Sequence, residues 1–202
     1  MQHVAAFEGA ARAFLELLGR IRPEQWERPG LGVWSVRSLA GHTARAITSV
    51  DEYLTAPEPA SVDWADSESY YLGVAGVVDA DAVAARGVTA GEALGDDPAA
   101  AVSPVLDRVL AALAAQPEAR IVSVVGGRSI PLTGYLPTRT LELVVHTMDL
   151  SRATGIPHAL PAAAVEAVTG LAGRIAARRG DGERVLLALT GRSPLPEGFS
   201  VV

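Results

Sequence analysis

The chain has 202 residues, enough for one sizeable domain or for one domain with a small appendage. Apolar residues make up 49% and aromatic ones only 5%, so alanine, valine and leucine must fill the core, which favours closely packed helices over an aromatic-rich β-sandwich. A formal net charge of −6 argues against a nucleic-acid partner, and the lack of cysteine excludes disulfides, thiolate metal sites and an internal thiol nucleophile.

The first stretch, "MQHVAAFEGAARAFLELLGR", has neither the charged start nor the unbroken apolar region of a signal peptide. With no evident run of about 18 apolar residues, no membrane span is expected, and a soluble cytoplasmic protein is. Val4, Phe7, Ala11, Phe14, Leu15, Leu18 and Ile21 share one helical face, which predicts a first amphipathic helix ended by Pro23. "EQWERPGLGVW" reads as a loop, and Ser35 as the cap of a second helix, "VRSLAGHTARAITSVDEYL". A long connection with room for a short helix follows. From Asp79 to about Ala115 the pattern is helical again, with a fresh start at Asp97 and Pro98.

"RIVSVVGGRSIPL" predicts a hairpin turning on Gly126 and Gly127. A fourth main helix is expected from about Pro137 or Thr138 to Thr154, ended by Gly155. One more helix runs from near Pro161 to Gly180, and "RVLLALTGR" reads as a short strand. The predicted architecture is a mainly α four-helix bundle with a β-hairpin before its last helix. Residues 1–156 would form the bundle and residues 157–202 a small helix-and-strand extension packed on it.

The fourth helix carries Glu142, His146 and Asp149 on one stripe of an otherwise apolar segment. Buried ionisable groups are costly unless paired, hydrogen-bonded or bound to metal. On the second helix, His42 shares a face with Leu39, Ala46 and Val50. Two imidazoles and a carboxylate would make a three-ligand site with an open fourth position, a set that suits catalytic zinc and tolerates nickel or ferrous iron. Asp149 would then orient a ligand imidazole from behind. The spacing alone is equally that of hydrogen-bonded core residues, and the metal reading requires the second and fourth helices to be neighbours.

"WSVRSLAGHTARAI" and "TRTLELVVHTMDLSRATG" resemble the two motifs of the DinB-like superfamily, in its mycothiol-dependent maleylpyruvate isomerase branch. The resemblance spans about residues 5 to 155 and implies a DinB-like bundle with a divalent metal on His42, Glu142 and His146. It further implies mycothiol, the small thiol of actinobacteria, as cosubstrate, and hence an isomerase or S-transferase acting on a small electrophile. A non-catalytic metal- or ligand-binding stress or sensor protein, or a hydrolase using metal-bound water, would use the same fold and ligands. Arg139, three residues before Glu142, and Arg192 in "LTGR" are candidate partners for an anionic substrate, against the ordinary role of a surface arginine. Trp34 is a candidate wall of the cofactor pocket, and pairing of two copies along apolar helix faces would give a homodimer.

Overall fold

The periodicity of the first segment builds α1 (Gln2–Leu18), which buries Phe7, Ala10, Ala11, Phe14, Leu17 and Leu18. The computed structural model describes residues 2–74 and 76–202. After α1 a short 3-10 turn at Pro23–Gln25 leads into a two-stranded antiparallel ribbon, β1 (Pro29–Leu31) and β2 (Trp34–Ser35). The sequence predicts a plain loop here. The ribbon forms because Gly32 takes a positive φ of 57°, which lets the chain reverse at once.

Ser35 then caps α2 (Val36–Thr55), its side chain accepting the Ser38 backbone N–H. Next come α3 (Ser67–Val74), α4 (Ala80–Ala93) capped by Asp79, and α5 (Pro98–Ala115) capped by Asp97. The hairpin follows, β3 (Ile121–Val124) paired with β4 (Arg128–Pro131), and then α6 (Leu132–Thr154). The chain finishes with α7 (Ala162–Arg178) and α8 (Gly182–Leu189).

Helices α1 and α2 each pack against both α5 and α6, which closes a four-helix ring around one apolar core. The second and fourth main helices of the sequence reading, α2 and α6, are direct neighbours. Outside this ring α4 lies on α2, brought close by two glycines: a Cβ on Gly41 would collide with the backbone of Gly91. Helix α7 covers α6, α1 and α3. Arg120 ties the hairpin to the end of α2 through the Leu54 and Ala56 carbonyls and Glu58.

Four further expectations are corrected. Helix α6 starts at Leu132, so Pro137 lies inside it. Thr133, whose carbonyl would have received the missing N–H, is exposed, and the loss is tolerated there. The hairpin turn has three residues, Val125 to Gly127, with Gly126 and Gly127 at φ 72° and 68°. "RVLLALTGR" is the helix α8 rather than a strand, so the extension is helical. Leucine and alanine favour a helix in so short an apolar run, and Arg184 pairs with Asp181 one turn away. Finally, α5 is long and apolar enough by length and composition to cross a membrane. Here Val102, Leu106, Val109 and Leu113 are buried in the ring.

Candidate functional site

Helices α2 and α6 bring His42, Glu142 and His146 together: one ligand atom from each lies within 4.8 Å of the others. Glu142 Oε2 is 3.3 Å from His146 Nε2 and 3.6 Å from His42 Nε2. Ligands of a tetrahedral zinc, at bonds of roughly 2.0–2.1 Å, stand about 3.3 Å apart, and the two separations from Glu142 Oε2 lie close to that spacing. Two ring nitrogens and one carboxylate oxygen, all within 4.8 Å of one another, fit a divalent ion in number and chemistry.

The two imidazoles are held differently. His146 Nδ1 is 3.1 Å from Asp149 Oδ2, which fixes the ring with Nε2 aimed at the cluster. His42 Nδ1 is buried with no hydrogen-bond partner among the described residues. Its ring is instead stacked on Trp34, with centroids 4.5 Å apart and planes 27° from parallel. Leaving such an atom unpaired costs about 1–3 kcal/mol, which a stacked pair at roughly 0.5–1.5 kcal/mol offsets only in part. Trp34 is itself anchored to α4, its indole N–H donating to the Ala84 carbonyl at 3.0 Å. Gly87 makes room for it, because a Cβ there would lie 2.7 Å from the indole nitrogen.

Burial works against the charge of Glu142, but the facing imidazoles of His146 and His42 and the nearby Arg139 hold its carboxyl well below the usual range. Burial likewise opposes a charge on His146, yet Asp149 and Glu142 outweigh it and raise its pKa to about 9. His146 thus carries a proton at neutral pH, and a cation bound at Nε2 would have to displace one.

The cluster forms part of the wall of a cavity of about 910 Å³. All four tyrosines of the chain, Tyr53, Tyr70, Tyr71 and Tyr135, line it together with Trp34. So do the arginines Arg45, Arg86, Arg139 and Arg179, while Glu142 is the one acidic residue among the described lining residues. In a chain of net charge −6 this is a local reversal of sign. Arg139 is wedged between aromatic rings, its guanidinium carbon 4.9 Å from the Tyr135 centroid and 5.6 Å from that of Tyr70. Burial disfavours its charge, and Tyr135, Tyr70 and Glu142 more than compensate. Arg45 and Arg86 make no hydrogen bond or ion pair with a side chain among the described residues.

Of the residues singled out in the sequence, His42, Glu142, His146, Arg139 and Trp34 line the cavity and Asp149 stands behind His146. Arg192 is not brought to it. That side chain is exposed and turns back onto the Thr190 carbonyl, because α8 ends there and Gly191 reverses the chain. The tail reaches the cavity through Arg179, Val201 and Val202 instead. Sequence reasoning missed Tyr71, whose hydroxyl is 3.2 Å from Glu142 Oε1 across a gap of 71 residues, and no local pattern signals that contact. Arg45, one turn beyond His42, was findable from its spacing.

A family model described as the mycothiol maleylpyruvate isomerase N-terminal domain matches residues 7–151. No curated protein and no solved structure shows significant similarity to the chain.

Proposed function

The chain belongs to the mycothiol maleylpyruvate isomerase N-terminal domain family, and from that premise we propose that it is a metal- and thiol-dependent isomerase or S-transferase acting on a small anionic electrophile. The observation that carries this reading is a three-donor cluster set in the wall of an aromatic, arginine-rich cavity. His42, Glu142 and His146 would hold the divalent ion, with zinc the best match to the donor set and nickel or iron admissible. Bound there, such an ion lowers the pKa of a thiol and keeps it as a thiolate at neutral pH.

The chain has no cysteine, so the sulfur comes from a separate molecule, and the family points to mycothiol. Arg139, with Arg45 and Arg86 of the same cavity lining, would bind and orient a carboxylate of the electrophile. The tyrosine rings would exclude water from the reacting carbon. Addition of the thiolate would open the carbon–carbon double bond to a stabilised carbanion; expulsion of the thiolate after rotation re-forms the double bond as an isomer, whereas protonation of that carbon by solvent gives the S-conjugate.

The test is metal analysis of gently purified protein, followed by assay of small unsaturated carboxylates with and without mycothiol. About one divalent ion per chain and product formation only with the thiol are expected. Turnover without any thiol would replace this reading by hydrolysis. Metal binding that stabilises the fold but gives no product would reduce the protein to a binding module.

A further inference from the structure

We infer that Tyr71 is a positioning residue: its hydroxyl occupies one oxygen of Glu142, restricts that carboxylate to a single metal bond, and so keeps a coordination place open towards the cavity. The inference rests on the metal site proposed above.

The two oxygens of Glu142 face different partners. Oε2 faces both imidazoles, while Oε1 lies 3.2 Å from the Tyr71 hydroxyl. The Tyr71 hydroxyl is the donor in this contact, because an ionised carboxylate oxygen can only accept. The same hydroxyl is 3.2 Å from the Thr138 carbonyl, one turn before Glu142, so its proton is shared between two acceptors on a single helix.

Helix α3 is built to hold this contact. The adjacent Tyr70 accepts from the Arg139 guanidinium at 3.2 Å, so two successive residues of α3 hold two of the side chains of α6 that line the cavity. On its other side α3 is fastened to α7 by ion pairs from Glu68 to Arg174 and, just before it, from Asp66 to Arg178. With the phenol gone, Oε1 is free to turn to the cation and fill the place a thiol needs.

Tyr71→Phe deletes only the hydroxyl. Both proteins are loaded with Co²⁺, their visible spectra recorded, and 2-mercaptoethanol titrated in while the sulfur-to-cobalt charge-transfer band is followed. The variant is expected to bind Co²⁺, to show the weaker visible bands of higher coordination, and to bind the thiol about 10–100-fold more weakly. A spectrum and thiol affinity equal to the parent protein's overturn the inference and leave the metal site standing. Failure of the parent protein to bind Co²⁺ removes both. X-ray absorption of the cobalt-loaded parent protein decides the matter even if the variant does not fold: one carboxylate oxygen at bonding distance supports the inference, and two refute it.

Discussion

The two imidazoles of the site differ in how far the chain must fold before each is in place. His146 has Glu142 one turn before it and Asp149 one turn after it, so a single helix orients its ring. His42 has no such companion on α2. Its ring depends on Trp34 from β2, which depends on the Ala84 carbonyl and the absent side chain of Gly87 on α4. One half of the site is thus written into local spacing, and the other is assembled by packing. The His42 half should therefore respond to changes far from the ligand atoms, and the His146 half should not.

The most severe test of that contrast is His146→Ala, expected to weaken divalent-metal binding more than about a hundredfold in competition with a chelating dye. Retained affinity would mean that the cluster is only a hydrogen-bonded core. The effect of pH comes next. The folded pKa of His146, about 9, lies above the unfolded value of roughly 6.5. Its proton therefore stabilises the metal-free protein fully below about 6.5, and that contribution disappears as pH rises through about 9. Metal affinity should run the opposite way, rising about tenfold per pH unit towards 9 with release of a proton. Calorimetry in buffers of different ionisation heat measures this, and a flat profile would dissociate the metal from His146.

Trp34→Ala releases the His42 ring and should cost about 10–100-fold in metal affinity. Trp34→Phe, which keeps a stacking face, should recover most of it; equal losses in the two variants would assign the effect to the indole N–H instead. The smallest change is Gly87→Ala, which touches neither imidazole. It should shift Trp34 and weaken binding several-fold, to no more than about tenfold. An unaltered affinity would mean that α4 can move aside and that the packing chain to His42 is slack.

This division also explains what was legible in the sequence. Helices α1, α2, α5 and α7 announce themselves through 3.6-residue periodicity and through caps such as Ser35 and Asp97. The pairing of Glu142 with His146 follows from their spacing alone. That His42 meets them depends on α2 and α6 being neighbours, which no local pattern states. Gly87 and Gly91 look like interruptions of a helix, yet they are where Trp34 and α2 press against α4. Pro137 looks like a helix start because its ring forbids the preceding hydrogen bond, and the solvent-facing Thr133 hides that cost. The run at Val185 to Leu189 is too short for period to separate strand from helix.

On α6, Tyr135, Arg139, Glu142, His146 and Asp149 succeed one another at alternating steps of four and three residues. Because a helix turns about 100° per residue, one inserted or deleted residue between Tyr135 and Asp149 would swing every later member of that row away from the cavity at once. Length variation among relatives should accordingly be absent from this segment and tolerated in the connections on either side, such as the linker over residues 155–161. The spacing of a single rod, more than the identity of any one side chain, is what such a lineage cannot alter piecemeal.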